Sequence, residues 1–146
     1  GKEYAIFGEM GVGKTCIGIN LIRKNSLKHN ALLRTIILCP PSVKVNWKRE
    51  IAIHSKIPAN QVHISEGSGQ KRIKALEKAV ASNRIIITNY ESLLTGKVMA
   101  ALKAFKPQMI DHEFYDASIT MQCHDVRKSQ ISRQLVYQCT NGPAEQ

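Results

Sequence analysis

The feature that most constrains the fold is the stretch Gly8–Thr15, which is written Gly-Glu-Met-Gly-Val-Gly-Lys-Thr. It matches the spacing G-x-x-x-x-G-K-[ST] in full and lies between an apolar segment and an amphipathic one. Glycines let the backbone wrap closely around phosphate groups, and the helix that follows adds the positive end of its dipole. The alternative is a glycine turn that precedes Lys14 by chance. The pattern favours a phosphate-binding loop between a strand and a helix.

The chemistry of this loop predicts a role for each residue around it. Lys14 should reach the β- and γ-phosphates of a nucleoside triphosphate and is predicted to be catalytic, and the Thr15 hydroxyl should coordinate Mg²⁺. A nucleoside triphosphate and Mg are therefore the predicted cofactors. The other residues predicted to contact the nucleotide are Gly8, Glu9, Met10, Gly11, Val12, Gly13 and Cys16.

Short apolar runs alternate with segments of helical periodicity along the chain, which is typical of a parallel sheet with crossover helices. The fold class predicted is α/β, a three-layer sandwich with a mainly parallel sheet. The predicted strands are residues 4–7, 35–39, 62–64, 84–88 and 108–110, with a weaker one at 135–138. Helices are predicted after the first strand, with Ile17, Leu21 and Ile22 on one face, and at 43–54, 70–81 and 91–106. Residues 111–133 show no period and receive no assignment.

Composition limits the class of protein. A chain of 146 residues fits one domain, and its formal charge of +10 suits a surface that meets phosphates, although a solvated basic surface is the alternative. The four cysteines are scattered, which predicts free thiols and an intracellular location, in the cytoplasm or nucleus. No apolar run approaches the length of a membrane span, so no contact with a membrane is expected.

Three segments in order resemble those of superfamily 2 helicases, especially the Swi/Snf-type DNA translocases. Gly8–Thr15 resembles motif I, Ile36–Glu50 is similar to motif Ia with its Cys-Pro and Trp-x-x-Glu, and Ile85–Glu91 is similar to the segment that ends in Thr-x-Tyr-Glu. The resemblance covers residues 4–110. It implies a RecA-like first lobe whose loops at the carboxyl ends of the strands face ATP and a nucleic-acid backbone.

By position, the resemblance implies a set of residues that contact phosphodiester groups. Trp47 lies at a core-facing step of its helix, where packing is the favoured interpretation over stacking on a base. The residues predicted to contact nucleic acid are Pro41, Ser42, Lys44, Thr88 and Asn89.

The resemblance also implies a strand that ends in Asp-Glu, whereas this chain reads Asp111-His112-Glu113. Asp111 is the predicted Mg²⁺ partner and Glu113 the predicted catalytic base, which the inserted His112 turns by about half a strand period. The alternative is a surface turn without catalytic meaning. Residues 136–146 look like motif III with an altered interior, or form a simple Asn-Gly-Pro turn.

Together these features predict that residues 1–146 are a single, partial ATP-binding lobe from which the second RecA-like lobe is absent, to be supplied in cis or trans. The predicted function is to couple Mg-ATP hydrolysis to movement on nucleic acid, for which Swi/Snf-type resemblance favours duplex DNA. Two alternatives stay open. One is a nucleotide-binding module without turnover, and the other is a different phosphate-loop ATPase with a protein partner.

Overall fold

A computed structural model of the chain describes residues 2–6, 14–113 and 119–123. The elements alternate between strands and helices along most of the described chain. The strands are β1 (Lys2–Ile6), β2 (Thr35–Leu38), β3 (Val62–Ile64), β4 (Ile85–Thr88), β5 (Met109–Glu113) and β6 (Ile119–Cys123). The α-helices are α1 (Lys14–Lys28), α2 (Lys44–His54), α3 (Gly69–Ser82) and α4 (Gly96–Phe105), and short 3-10 helices span Pro41–Val43, Ala59–Gln61 and Tyr90–Leu94.

The strands form one sheet in the order β1-β6-β5-β2-β4-β3. Strands β3, β4, β2 and β5 pair in parallel, whereas β6 pairs antiparallel with both β5 and β1. Because only residues 114–118 separate β5 from β6, the two strands can form only an antiparallel pair, since a parallel return needs a longer crossover. Strand β1 therefore runs in the same direction as β5, and the carboxyl ends of β1 to β5 meet at one edge.

Helices α1 and α2 cover one face of the sheet. Ile19 and Ile22 of α1 and Trp47 and Ile51 of α2 are almost fully buried there. They pack against the strand residues that face them, which are Ile37, Cys39, Ile85, Ile87 and Met109. The indole of Trp47 is completely buried, which confirms that this residue packs in the core.

Helices α3 and α4 cover the opposite face. Leu76 of α3 and Leu102 and Phe105 of α4 pack there against alternate strand residues, namely Ile36, Leu38, Ile86 and Ile110. Successive strand residues thus belong to opposite cores, as expected for a sheet buried on both faces. The predicted three-layer α/β fold is confirmed.

Most predicted elements are present, with two corrections. The predicted helix 91–106 is present as α4, but its predicted start is wrong, because the chain forms the 3-10 turn Tyr90–Leu94 and starts α4 only at Gly96. The hydroxyl of Ser92 donates to Asn89 Oδ1 at 2.7 Å, a local bond that competes with helix formation. The predicted face of α1 is also wrong at Ile17, which is 48% exposed, because the buried positions repeat at Ile19, Ile22 and Ser26.

Two further outcomes concern the carboxyl-terminal third. Strand β5 continues to Glu113 and is followed by β6, in a region to which the periodicity assigned nothing. The predicted strand 135–138 and the segment that resembles motif III lie outside the described residues.

Among the described helices, none has the length and apolar character needed to cross a membrane.

The end of α4 gives a first testable prediction, since Lys106 adopts the left-handed conformation with φ 53°. Glycine has no Cβ to clash in this region, so Lys106→Gly is expected to raise the free energy of unfolding by about 0.5 to 1 kcal/mol. Ala104→Gly, inside the same helix, is the control and is expected to lower it by about 1 kcal/mol. Urea denaturation measures both, and a Lys106→Gly chain less stable than the parent would contradict the prediction.

Candidate functional site

Polar and charged side chains gather where the parallel strands end. Strand β3 is followed by Ser65, β4 ends at Thr88 and is followed by Asn89, and β5 ends with Asp111 and Glu113. The carboxyl edge of a parallel sheet is where open α/β folds place their ligands, because the loops there leave a crevice between the layers. This edge is therefore the candidate functional site.

Helix α1 brings its amino terminus to this edge. It begins at Lys14, follows β1 and lies against β1 and β6. The first peptide N–H groups of a helix have no partners within it and carry the positive end of the dipole, so they attract phosphate. Thr15 and Cys16 are half-buried in this first turn, and Cys16 is a free thiol. The predicted nucleotide contacts Gly8, Glu9, Met10, Gly11, Val12 and Gly13 lie outside the described residues.

Asp111 is fully buried in β5 and is the most unusual side chain at this edge. Neither carboxylate oxygen has a hydrogen-bond partner among the described residues, and burial raises the pKa of Asp111 well above its usual range. It follows Met109 by two residues, so it faces the layer that contains α1 and α2. A buried carboxylate without a partner costs stability, which is typical of a residue kept for a ligand.

Glu113 lies two residues beyond Asp111 and therefore on the same face of β5. Its charge lies near the Cys39 thiol, and burial together with Glu113 raises the pKa of Cys39 to about 12. The two carboxylates thus both face the α1 layer, with Asp111 deeper and the half-buried Glu113 nearer the carboxyl end.

His112 stands between the two carboxylates and faces the other way. It pairs with Leu38, whose side chain belongs to the α3 and α4 core, and its ring lies 5.8 Å from the ring of Tyr90 at an angle of 53°. Burial lowers the pKa of His112 to about 4, so its imidazole is neutral at pH 7. Tyr90 directly follows Asn89, so this contact joins the end of β5 to the loop after β4.

A second polar cluster lies beyond the ends of β3 and β4 and is built around Lys44 and Arg72. The ammonium of Lys44 donates to the carbonyl oxygen of Ser65 at 3.2 Å and to Asn89 Oδ1 at 3.5 Å. Burial and the neighbouring Arg72 lower the pKa of Lys44, while Glu66 acts in the opposite direction. The Lys44 ammonium and the Arg72 guanidinium therefore share one partly desolvated site at the strand ends. Each cation needs oxygen atoms there as hydrogen-bond acceptors.

The predicted nucleic-acid contacts fall into two groups in the structure. Pro41 and Ser42 are exposed in the 3-10 turn after β2, and Asn89 is half-buried after β4. Lys44 is buried, and the hydroxyl of Thr88 lies inside the protein against Ser92 at 3.3 Å. All five surround the same edge of the sheet. Pro41, Ser42 and Asn89 are the ones whose positions open toward solvent.

Arg72 is the main residue of this site that sequence reasoning missed. It lies among the exposed Lys71, Lys74 and Lys78 of α3, yet Arg72 precedes the buried Leu76 and Ala79 by four and seven residues. That spacing places it on the core-facing stripe of the helix, where a charged residue needs oxygen partners. The helical period was thus a usable signal.

The described residues contain no group of three His, Cys, Asp or Glu side chains that could hold a metal by themselves. Mg²⁺ in nucleotide sites usually takes one or two protein oxygens and completes its shell with phosphates and water. The Asp111 carboxylate, which has no hydrogen-bond partner among the described residues, and the Thr15 hydroxyl at the start of α1 fit that limited requirement.

Comparison with known proteins places these features in a family. The comparison with curated proteins found no match. A family description, the SNF2-related domain, matches residues 5–138, which is most of the chain and includes α1, the cluster at Lys44 and both carboxylates. Members of this family are ATP-hydrolysing, helicase-like enzymes that act on DNA. The chain belongs to the SNF2-related domain family.

Proposed function

We propose that this chain is the ATP-binding lobe of an ATP-dependent DNA translocase, which couples Mg-ATP hydrolysis to a changing grip on duplex DNA. A second RecA-like lobe, in cis or trans, would complete the nucleotide site. The observation that carries the proposal is that one edge of the sheet holds both a buried carboxylate suited to a metal and a basic cluster that joins the loops around it.

The nucleotide half of the proposal rests on the face shared by Asp111 and α1. Lys14 would neutralise charge on the β- and γ-phosphates, and Thr15 and Asp111 would hold Mg²⁺. Bound Mg²⁺ would supply charge neutralisation for the transferred phosphoryl group. Glu113 lies on the same face as Asp111 and would accept a proton from the attacking water.

The DNA half rests on the exposed loops beside the nucleotide edge. Pro41 and Ser42 follow β2, and Asn89 follows β4, so both loops leave the sheet at the edge where β5 ends. The formal charge of +10 would attract the backbone from a distance. The ring contact between Tyr90 and His112 would link the two halves mechanically, because one residue borders Asn89 and the other borders Asp111.

A second candidate function is nucleotide binding without turnover. It is favoured by His112, which takes the position directly after Asp111 and is neutral at pH 7 because burial lowers its pKa to about 4. In this alternative the site would hold Mg-ATP, and Glu113 would lie too far along the strand to activate water.

Phosphate release in the presence of duplex DNA tests the proposed function and separates it from the second candidate. The wild-type chain is compared with Glu113→Gln, and Mg-ATP binding to each is measured in parallel. Release above background by the wild type, lost in Glu113→Gln while ATP binding persists, supports the translocase lobe. Binding of ATP with no release in either chain supports the binding module. Failure to bind duplex DNA at low salt would contradict the DNA half.

The carboxylate of Glu91 gives a further prediction on the DNA half. Its Oε2 accepts a hydrogen bond from Asn89 Nδ2 at 3.0 Å, so its negative charge lies beside a predicted phosphate contact. Glu91→Gln removes that charge and is expected to tighten duplex DNA binding by about two- to fivefold, the size of an exposed charge interaction. Fluorescence anisotropy measures it, with Glu77→Gln on the exposed face of α3 as the control. Unchanged or weaker binding by Glu91→Gln would contradict the prediction.

A further inference from the structure

The guanidinium of Arg72 is held by more hydrogen bonds than any other described side chain in the site. Nε donates to Ser65 Oγ at 3.1 Å, and Nη1 donates to the carbonyl oxygen of Gly67 at 3.3 Å. Gly67 has φ 89°, a conformation that favours glycine and that turns its carbonyl toward the helix. The oxygens within reach of Nη2 are Ser92 Oγ at 2.6 Å, Thr88 Oγ1 at 3.1 Å, Ser65 O at 3.2 Å and Asn89 Oδ1 at 3.4 Å.

Every partner recorded for Arg72 is a neutral oxygen, and the partners come from the loop after β3 and from the end of β4. Burial lowers the pKa of Arg72, with Glu66 acting in the opposite direction. The protein thus desolvates a cation next to the Lys44 ammonium and compensates it with hydrogen bonds to neutral oxygens, to which the nearby charge of Glu66 adds. Such an arrangement is costly as a stabilising device, and it orders the loops that it joins.

The side-chain amide of Asn89 is where the two cations converge. Its Oδ1 accepts from Ser92 Oγ at 2.7 Å and lies 3.4 Å from Arg72 Nη2 and 3.5 Å from Lys44 Nζ. Rotating the amide by half a turn would place its NH₂ group against three donors. The oxygen is therefore fixed inward, and Nδ2 points to the exposed side, where it donates to Glu91 Oε2.

We propose that Arg72, together with Lys44, is a positioning residue that locks the Asn89 amide so that its N–H groups face outward to donate to a phosphate oxygen of the DNA backbone. This inference rests on the proposed function for its ligand, but the locking itself does not depend on DNA. Arg72 acts through Asn89 and does not touch the phosphate. Ser92 and Thr88 complete the lock by holding the guanidinium at the end of β4.

The first test reads the lock without nucleic acid. In ¹⁵N-labelled protein, the side-chain NH₂ signals of Asn89 are assigned by their loss in Asn89→Ala. They are expected at dispersed shifts with a rigid heteronuclear Overhauser effect in the wild type, and at shifts typical of a mobile amide in Arg72→Met. Lys74→Met, an exposed residue of α3 that loses the same charge, should leave them unchanged. A rigid, unshifted Asn89 amide in Arg72→Met would overturn the proposal.

The second test is a double-mutant cycle on duplex DNA affinity. Arg72→Met is expected to weaken binding by about five- to tenfold in the wild-type background, less than the loss of a whole hydrogen bond to a charged acceptor because the Asn89 amide is loosened and not removed, and to have no effect in the Asn89→Ala background. An equal loss in both backgrounds, with a smaller salt dependence, would mean that Arg72 contacts phosphate directly and would overturn the proposal. No loss in either background would overturn it as well.

Arg72→Lys is the second variant, used in both tests if Arg72→Met does not fold. It keeps the charge but cannot span four oxygens, so it is expected to loosen Asn89 without changing the salt dependence of binding. If the wild type binds no DNA, the proposed function fails, and the Asn89 signals still decide whether Arg72 holds that amide.

Discussion

Replacing Asp111 with asparagine is expected to make the chain more stable and, at the same time, to weaken its response to Mg-ATP. The carboxylate is fully buried and has no hydrogen-bond partner among the described residues, so its charge is a cost in the free protein. Removing that charge should raise the free energy of unfolding at pH 7 by about 1 to 3 kcal/mol. Glu77→Gln, which removes an exposed charge from α3, is the control and should change it by less than about 0.5 kcal/mol.

The difference in the free energy of unfolding between Asp111→Asn and the wild type should depend on pH in a defined direction. Burial raises the pKa of Asp111 in the folded chain, so the folded state binds the proton more tightly than the unfolded state does. The wild type therefore loses stability as the pH rises from the unfolded pKa of about 3.9 to the raised folded pKa. Asp111→Asn has no such loss. Its additional stability relative to the wild type is therefore absent below the unfolded pKa of Asp111 and complete above the folded pKa. Urea denaturation over a pH series measures the difference.

Binding of Mg-ATP should reverse the order of stability of the wild type and Asp111→Asn. Saturating Mg-ATP stabilises a protein that binds it by about 2.7 kcal/mol at one hundred times the dissociation constant. The wild type should gain this stability and Asp111→Asn should gain much less, since it would lack the proposed metal ligand. A variant that is less stable than the wild type at pH 7 would mean that the carboxylate has a stabilising partner, which contradicts the assignment of Asp111 to a ligand.

Replacing Lys14 with methionine is expected to cause the largest loss of nucleotide affinity. Lys14 begins α1, where its charge would add to the helix dipole on the same phosphates. A hydrogen bond between charged groups contributes about 1.5 to 3 kcal/mol, so the dissociation constant of Mg-ATP should rise by about ten- to one hundredfold. Anisotropy of a fluorescent ATP analogue measures it.

Lys28→Met is the matched control for this change. Lys28 is exposed in the last turn of the same helix and carries the same charge, but it lies at the opposite end from the phosphates. It should bind Mg-ATP as the wild type does. Equal affinities for Lys14→Met and Lys28→Met would mean that the loop Gly8–Thr15 does not hold the nucleotide.

The layered fold was predictable because its strands are buried on both faces. Runs such as Thr35–Leu38 and Ile85–Thr88 carry apolar or β-branched residues at every position, which is typical of a parallel sheet between helices. The hairpin of β5 and β6 was not predictable in the same way. Residues 111–133 have no regular period, and pairing between strands is a tertiary property that local pattern does not encode.

Helix α2 shows why some site residues could be found from the sequence and others could not. The buried Trp47 and Ile51 repeat at four residues, and Lys44 was assigned to the site by resemblance of its loop. Arg72 had no such resemblance, and three exposed basic neighbours concealed its core-facing position. The sequence predicted a catalytic role for Glu113, two residues after Asp111. The structure extends β5 through both residues and so places them on the same face of the sheet.

We propose that this chain holds Mg-ATP at the edge where α1 begins and β5 ends. Calorimetric titration of ATP into the wild-type chain, with Mg²⁺ and again with the metal chelated, tests it most directly. We expect saturation of a single site with Mg²⁺ and a clearly weaker affinity without it, because Asp111 and Thr15 would contribute only through the metal. Absence of saturation at millimolar ATP, or the same affinity in chelator, would contradict it.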